Sequence, residues 1–302
     1  MAPFWLDRPP EEALALGPAA EALGYREFWV GEMLHFDAFA LAGAIAAATT
    51  RITVTTGPVA LRLRDPVLLA MGVGSVEVIG GRPARLAIGA SSPAVVEAWH
   101  GRAHGGEAEK ITEAIDLVRA VLAGERTEHR GASYQSVGFR SGLGRRTDHV
   151  TVAAAGPRMI LAAARSADRI VANLVTPERA ALTRNQSALP MAVWVMAAVE
   201  PTALGVDQIR RHLALYLSAP GYRETLREAG IGPVIDRVAE GARPKEVAHL
   251  ITIEMISAIA AIGSLDEVAS AVAAFEESGS EVMVVPVTAD DEGGTRTLRR
   301  LA

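Results

Sequence analysis

The feature that most constrains the fold of this chain is a pattern that recurs along it: an apolar run, a loop of small residues, and a capped helix. In residues 51–80 a β-branched run passes through Gly57-Pro58 to Asp65-Pro66, where a helix with regularly spaced apolar residues begins. Strands that are apolar throughout are typical of parallel sheets covered by helices. The pattern therefore predicts an α/β fold.

Eight runs are predicted as strands, and helical segments separate nearly all of them. Eight strand–helix units indicate a (β/α)₈ TIM barrel, which needs about 250 residues. The predicted strands are Phe4–Leu6, Glu27–Val30, Arg51–Thr56, Leu86–Ile88, Val150–Ala153, Arg169–Ala172, Val193–Met196 and Val282–Val285.

The chain is longer than a minimal barrel, so we expect insertions. They fall after strands four and seven, at residues 101–149 and 201–263, and neither looks like a separate domain. We therefore expect residues 1–302 to form a single domain. A doubly wound dinucleotide-binding fold is the alternative, but its glycine fingerprint belongs at a strand-to-helix turn. The spacing Gly72-Val73-Gly74 lies inside a predicted helix instead.

Composition narrows the class of function. The net charge is −5 and the basic residues are scattered, which disfavours binding to nucleic acid or to an anionic membrane. No apolar run approaches the roughly 18 residues of a membrane span, so we expect a cytoplasmic protein with a small-molecule substrate. The chain has no cysteine, and Lys110 and Lys245 do not end strands. Covalent catalysis is therefore disfavoured, which points to a cofactor that carries the reactive atoms.

Loops of small residues follow three predicted strands, whose carboxyl ends share one mouth in a parallel barrel. Gly89–Ser92 leaves room for a planar ligand, and Ala154–Pro157 exposes N–H groups at a helix start, which favours a phosphate. The alternative is that these residues only permit tight turns. The peptide bond between Gly57 and Pro58 can adopt the cis form at modest cost, and the strand end there can bulge toward a ligand.

A few polar residues lie where a barrel mouth is expected. Glu32 ends the second strand and is a candidate acid or base, with His35 just after it. Equally, Glu32 and Asp37 are candidates to cap the next helix. His100 is able to titrate near neutral pH, or it is a partly buried structural residue. No carboxylate stands at ligand spacing from His100 and His104, so we predict no metal site.

A series of short motifs spans most of the chain. They are Ala22-Leu23-Gly24-Tyr25, Phe28 to Met33, Phe36 to Phe39, Arg64-Asp65-Pro66, Gly80-Gly81-Arg82, Ile88 to Pro93, Trp99-His100-Gly101, Ala155 to Met159, Asn173, Thr176-Pro177-Glu178 and Gly263 to Glu267. Their order and spacing resemble the luciferase-like monooxygenase superfamily, especially its branch of oxidoreductases that depend on the deazaflavin coenzyme F420.

The resemblance implies a TIM-barrel enzyme, commonly a homodimer, that uses F420 or FMN. It implies that the ring lies against the bulged end of strand three and the end of strand four, and that the phosphate lies near the end of strand five. The cofactor-binding residues expected on this basis are Thr56, Gly57, Pro58, Val59, Gly89, Ala90, Ser91, Ser92, Ala154, Ala155, Gly156, Pro157, Arg158 and Asn173.

The expected reaction is hydride transfer between F420 and a small organic substrate, with Glu32, His35 and His100 lining the reaction space. The acidic tail of F420 would meet arginines such as Arg62, Arg64, Arg145 or Arg146. Two alternatives stay open. One is an FMN-dependent monooxygenase that receives reduced flavin from a partner reductase, and the other is a catalytically silent relative that binds a ligand or only assembles as a dimer.

Overall fold

A computed structural model describes residues 8–32 and 36–302. Among these residues, eight parallel strands form one sheet and two short strands form an antiparallel hairpin. The strands are β1 (Glu27–Val30), β2 (Thr53–Ala60), β3 (Ala84–Gly89), β4 (Glu128–Arg130), β5 (Gln135–Val137), β6 (Val150–Ala153), β7 (Arg169–Asn173), β8 (Met191–Val199), β9 (Ala260–Gly263) and β10 (Ser280–Pro286). The sheet order is β1-β2-β3-β6-β7-β8-β10, and β9 pairs with the second half of β8.

Helices follow most sheet strands and cover the outer face of the sheet. Those described are α1 (Glu12–Ala22), α2 (Ala38–Ala48), α3 (Pro66–Gly80), α4 (Glu107–Leu122), α5 (Pro157–Ser166), α6 (Pro177–Ser187), α7 (Ala203–Ala214), α8 (Arg223–Glu228), α9 (Gly232–Ala239), α10 (Pro244–Val247), α11 (Ile253–Ser257), α12 (Leu265–Glu277) and α13 (Thr295–Leu301). None of them is long and apolar enough to cross a membrane.

Side-chain caps fix where several helices begin. The Asp65 carboxylate accepts a hydrogen bond from the Val67 N–H at 2.8 Å, directly ahead of Pro66 in the first turn of α3. Ser264 and Glu267 form a capping box at the start of α12. Because such caps satisfy N–H groups that have no partner within the helix, they end the preceding loop at a defined residue.

The sheet curls until distant strands face one another. β1 and β7 have three strands between them, which in a flat sheet would hold them about 19 Å apart. Arg169 of β7 nevertheless donates to Glu27 of β1 at 2.9 Å. The rings of Trp29 in β1 and Trp194 in β8 also meet edge to face, with centroids 5.6 Å apart. The chain therefore has an α/β fold in which a parallel sheet encloses an interior.

Two apolar cores lie on opposite sides of this sheet. The outer core joins residues such as Phe28, Val54 and Leu86 to the surrounding helices. The inner core contains Trp29 and Trp194 together with buried residues of α7 and α9. Alternate strand residues therefore enter different cores, as the period of a β-strand requires.

Seven of the eight predicted strands are present, and the eighth, Phe4–Leu6, lies outside the described residues. The predicted hairpin near residues 131–134 is also confirmed, as β4 and β5. One strand was missed: β9, at Ala260–Gly263, belongs to a segment predicted as mostly helical. Its small residues give no β-branched run, and pairing with β8 determines its conformation.

Helix α4 lies within the 101–149 segment that was predicted as an insertion. It packs against both α3 and α5, so it belongs to the regular outer layer. The residues beyond that layer are chiefly the β4–β5 hairpin and the loop that precedes β6.

Candidate active site

The carboxyl ends of four neighbouring strands carry small residues on their interior face. Gly89 and Ala153 end β3 and β6, Gly31 follows β1, and Pro58 lies two residues before the end of β2. These four strands are adjacent and parallel. A Cβ placed on Gly89 would lie 3.1 Å from the Cβ of Ala153 and 3.7 Å from that of Pro58. The predicted small-residue loops therefore meet at one rim of the sheet, and we refer to the space bordered by these four residues as the cleft.

A bulge in β2 shapes one wall of this cleft. The Gly57-Pro58 peptide bond is cis, and the pairing of β2 with β3 shifts between Thr56 and Val59. Gly57 has φ +118°, and a Cβ there would lie 2.0 Å from the carbonyl oxygen of Ala87. The bulge predicted at this strand end is confirmed, and only glycine fits its first residue.

Not every predicted residue of the bulge turns its side chain inward. Thr55 faces the interior, where its hydroxyl bonds to Glu27. The side chain of Thr56 therefore points to the helix layer, and Val59 belongs to the outer core. Pro58 is the residue of the bulge whose ring borders the cleft, because it lies beside the interior face of Gly89.

Two tryptophans form the floor of the cleft. A Cβ on Gly31 would lie 3.2 Å from the Trp194 ring, so this glycine leaves the room that the ring occupies. Trp29 lies against Trp194, and the Arg169 guanidinium stacks on Trp29 with its carbon 4.9 Å from the ring centroid. Within the described part of the chain, the buried Trp29 indole N–H has no hydrogen-bond partner. Such a donor is normally satisfied by a ligand or a water molecule.

Backbone strain is concentrated at the same rim. Ser91, Leu174 and Glu200 have φ values of +62°, +56° and +51°, and each follows the end of a sheet strand. Left-handed backbone at residues other than glycine costs free energy and is found preferentially at functional sites. Three of the four described non-glycine residues with positive φ thus follow the ends of β3, β7 and β8, and the fourth, Ala188, ends α6.

Helix α5 begins directly after β6, as predicted. Gly156 is its N-cap and Pro157 its first residue, and no atom lies within 4 Å of a Cβ placed on Gly156. The positive end of the helix dipole is therefore open to an anion. Ala154 is buried and Ala155 exposed, while the exposed Arg158 side chain pairs with Glu109 of α4.

Glu32 and Asp37 both serve the start of α2. Asp37 accepts hydrogen bonds from the N–H groups of Phe39 and Ala40 at 3.0 Å, and Glu32 accepts one from Ala38 at 3.3 Å. Both carboxylates also pair with Arg64. Glu32 and Asp37 therefore both cap α2, which is one of the two roles that the sequence left open for them.

Arg64 and the carboxylates of Glu32 and Asp37 stabilise one another's charged forms. Burial alone would raise the pKa of Asp37, but hydrogen bonds from Arg64 and the helix N–H groups outweigh it and lower that pKa. The hydrogen bond to Glu32 is the largest of the effects that raise the pKa of Arg64. Both groups therefore stay ionised at neutral pH, and Arg64 stays fixed over the Phe39 ring. His35, predicted beside them, lies outside the described residues.

The loop after β3 contains a six-residue π-helical turn, Ala94–Trp99, a rare conformation that often marks functional sites. Ser92 lies before it, with its hydroxyl 3.4 Å from the Val95 N–H. His100 follows the turn and is exposed at its end. His104, further along, approaches the Ser91 carbonyl at 3.4 Å. Among the described residues, no group of three or more His, Asp or Glu side chains could hold a metal ion.

The sequence did not predict an aromatic cluster beside Asn173. The rings of Tyr216 and Tyr222 have centroids 4.7 Å apart, and His212 lies 5.3 Å from Tyr216. Asn173, at the end of β7, forms a side-chain hydrogen bond with Tyr222. Burial raises the pKa of both tyrosines, so both hydroxyls stay protonated. The sequence feature that could have revealed this cluster is the spacing of the tyrosines, since two of the four fall within seven residues.

The sequence of this chain matches known proteins over most of its length. A family model described as luciferase-like monooxygenase matches residues 6–281. A Mycobacterium tuberculosis protein assigned to the coenzyme F420-dependent oxidoreductases is 24% identical over 320 residues, covering 93% of this chain and 92% of that protein.

Solved structures share the fold. The F420-dependent tetrahydromethanopterin reductase from Methanopyrus kandleri gives a TM-score of 0.82 at 17% identity, covering 99% of this chain and 95% of that one. The FMN-bound oxygenating constituent of 3,6-diketocamphane monooxygenase from Pseudomonas putida gives 0.65 at 17% identity, covering 99% and 94%.

Proposed function

The chain belongs to the luciferase-like monooxygenase family, and on that premise we propose that it is an oxidoreductase with a deazaflavin or flavin cofactor. In the form we favour, the cofactor is F420, and a hydride passes between it and a small organic substrate. The mycobacterial relative is described as a putative coenzyme F420-dependent oxidoreductase, and the structure with the higher of the two TM-scores above is an F420-dependent reductase. That agreement favours F420 over FMN.

The observation that carries this proposal is the cleft of small residues. Pro58, Gly89 and Ala153 place no large side chain at this rim, Gly31 makes room for the Trp194 ring, and Trp194 packs against Trp29 below. A flat ring system fits a slot with one uncrowded wall and an aromatic floor. The Trp29 indole N–H, which has no hydrogen-bond partner among the described residues, would add a donor at the floor of the cleft.

Particular residues would hold the cofactor. We place the ring against the bulge at Gly57-Pro58 and the loop Gly89–Ser92, and the phosphate at Ala154–Arg158, where α5 begins. When bound, F420 supplies a ring carbon that takes up or releases a hydride. The chain supplies position, exclusion of water and the proton, since the described residues contain neither cysteine nor a lysine at a strand end.

We propose that Glu32, His35 and His100 hold or move that proton. Glu32 is fixed by Arg64 and by the Ala38 N–H, so its carboxylate has a defined place beside the mouth. The 101–149 and 201–263 segments would form the walls that select the substrate. Tyr222, bonded to Asn173, belongs to the second of these walls.

We also propose that the enzyme is a homodimer. Helix α3 exposes Leu68, Met71, Val78 and Ile79, whose spacing places them along one side of the helix. A continuous exposed apolar stripe is uncommon on a monomer and is typical of an interface. A second copy of the chain would cover it.

The FMN-dependent monooxygenase is the second candidate, and the FMN-bound structure with a TM-score of 0.65 favours it. Difference spectroscopy with each cofactor separates the two. We expect saturable binding of F420 at micromolar concentrations or below. Binding of FMN but not F420 would favour the monooxygenase, and binding of neither would favour the silent relative.

A matched pair of glycine variants tests the location of the site. A Cβ added to Gly156 or to Gly142 would meet only open space, and neither residue has a positive φ, so Leu is tolerated at each. We expect Gly156→Leu to abolish cofactor binding, because its side chain would cover the start of α5, and Gly142→Leu to bind normally. Equal binding by both variants would contradict the proposed phosphate site.

A further inference from the structure

A second cavity lies beside the cleft, on the far side of the loop that contains His104. Its volume is about 310 Å³. It is lined by the segment Leu61–Asp65, by Arg102, by Lys110 of α4, and by Ser133 and Tyr134 of the hairpin turn. No residue of this cavity except Arg62 and Arg64 was predicted to contact a ligand.

Four cations from three parts of the chain line this cavity, and the two that share the segment Leu61–Asp65 are fixed by carboxylates. Arg62 bonds to the buried Glu107 at 3.1 Å and to the Gly105 carbonyl, and Arg64 pairs with Glu32 and Asp37. These contacts hold both guanidinium groups in place and neutralise much of their charge. They make the wall rigid but leave little attraction for a further anion.

The other two cations are not neutralised. The side chains of Arg102 and Lys110 form no ion pair with any residue in the described ranges. The carboxylate that shares the cavity, Asp65, is occupied by capping α3. The cavity lining therefore holds two cations without an ion-pair partner and one carboxylate, in a partly enclosed space where charges are screened less than on an open surface.

The hairpin turn contributes a neutral hydrogen-bond donor. Glu113 accepts from the N–H groups of Ser133 and Tyr134 at 2.9 and 2.7 Å, which anchors the turn to α4. Burial raises the pKa of the Tyr134 hydroxyl, so it remains protonated. A protonated hydroxyl that lines the same cavity as Arg102 and Lys110 gives an oxygen-rich anion a further hydrogen-bond donor.

The cavity is continuous in structure with the cofactor cleft. Leu61 donates its N–H to the carbonyl of Gly89 at 2.9 Å, so the cavity wall begins where the cleft ends. The 101–106 loop touches both sites, through His104 at Ser91 and through Gly105 at Arg62. The cleft and the cavity therefore border the same loop.

We propose that this cavity binds a chain of carboxylates attached to the molecule in the cleft, with Arg102 and Lys110 as its charged contacts. The cations are spread over several parts of the chain. They therefore match a ligand that has several anionic groups along its length better than they match one compact phosphate. The source is either the acidic oligoglutamate tail of F420, which rests on the proposed function, or a polycarboxylate substrate.

Lysine labelling tests the cavity without any cofactor. The chain has only two lysines, Lys110 and Lys245. We expect tri-γ-glutamate to slow reductive methylation of Lys110 about fivefold, measured by mass spectrometry, and to leave Lys245 unchanged. An unchanged rate at Lys110 under saturating tri-γ-glutamate, or equal slowing at both lysines, would overturn the proposal.

Cofactor binding distinguishes the two sources. F420 with several glutamates (the tailed form) is compared with the same cofactor that keeps the phospholactyl group but has no glutamates (the tailless form). The variants are Lys110→Gln, Arg102→Gln and the control Arg300→Gln, an exposed arginine of α13 outside the cavity. If the tail occupies the cavity, each of the first two variants weakens only the tailed form, by about fivefold, and added salt erases the difference.

The remaining outcomes keep the two claims separate. If tailed and tailless forms bind alike to every variant while tri-γ-glutamate protects Lys110, the cavity serves an acidic substrate. If neither deazaflavin binds, the proposed function fails, and the labelling result alone decides the cavity. If both bind equally and Lys110 is not protected, the cavity assignment is wrong and the proposed function stands.

Discussion

Two glycines at the strand ends differ in what a side chain would meet. Gly57 has φ +118° and faces the Ala87 carbonyl oxygen at 2.0 Å from a Cβ, whereas Gly156 has φ −102° and open space. We expect Gly57→Ala to lower the free energy of unfolding by about 3 kcal/mol, from strain and overlap together. Gly156→Ala should leave it within about 0.5 kcal/mol.

Urea unfolding followed by circular dichroism measures both variants. Equal midpoints for Gly57→Ala and the wild type would mean that the bulge is able to move away from Ala87. The proposed wall of the cleft would then be wrong.

Glu27 and Arg169 form an ion pair beneath the tryptophans. Burial alone would raise the pKa of Glu27, but the hydrogen bond and charge of Arg169, with help from Thr55 and Arg85, lower it to about 2. A carboxylate with a lowered pKa stabilises the fold above its unfolded pKa of about 4.5, and this contribution disappears as the pH falls toward 2.

Glu27→Gln should therefore cost about 3 kcal/mol at pH 7, since it leaves Arg169 buried without its main partner. The difference from wild type should shrink steadily below pH 4.5, measured by urea unfolding at a series of pH values. Glu281 is the matched control, because it also bonds to Arg169 at 2.8 Å but is 59% exposed. Glu281→Gln should cost less than about 1 kcal/mol. A pH-independent cost for Glu27→Gln would contradict this explanation.

The sequence predicted some of these residues and missed others for a physical reason. Gly57-Pro58, Gly89 and Gly156 were identified because small residues after a strand have a local signature. The tryptophan floor was not, because Trp29 and Trp194 meet only after five intervening strand pairings have curled the sheet. Contacts between residues so far apart along the chain leave no recognisable pattern in a single sequence.

At the scale of elements, α7 holds the loop that follows β10. The buried Gln208 side chain accepts from the N–H groups of Thr288 and Ala289 at 2.8 and 3.1 Å. Gln208→Ala would leave two backbone donors without this acceptor, at a cost of about 2 kcal/mol. Asp207→Asn, which changes only an exposed neighbour, is the control.

Hydrogen exchange locates the effect. We expect faster exchange at residues 288 and 289 in Gln208→Ala and unchanged exchange in Asp207→Asn. Protection at both residues in Gln208→Ala would mean that other contacts hold this loop.

Element boundaries were predictable where caps or β-branched runs define them. Glu27–Val30 and Val150–Ala153 match the predicted strands residue for residue, and Ser264 starts α12 as expected. β2 runs on to Ala60, beyond its predicted end, because pairing with β3 resumes after the bulge. β9 was missed because its conformation depends on β8 rather than on its own residues.

At the scale of the whole molecule, the exposed stripe of α3 predicts the oligomeric state. Leu68 and Ile79 are 59% and 55% exposed. Leu68→Glu with Ile79→Glu should convert a dimer into a monomer in sedimentation equilibrium, because charges cannot be buried in an apolar interface without a partner. Leu161→Glu, at a similarly exposed residue of α5, should stay dimeric. A dimeric double variant would place the interface elsewhere.

The α/β class followed from the sequence because it depends on a repeated local pattern, and the parallel sheet confirms that class. The cavity beside the cleft did not follow. It is formed by four segments between residues 61 and 134 that are brought together only by packing. Predicting that Lys110 and Arg102 face one space would have required the positions of α4 and the hairpin in advance.

The central claim is that the slot between Pro58, Gly89 and the tryptophan pair receives a flavin-like ring. A crystal structure of the chain grown with saturating F420 tests it most directly. We expect the ring in contact with Pro58 and Gly89, with its phosphate at the start of α5. A ring bound away from both residues, or a slot that stays closed while the cofactor binds in solution, would contradict it.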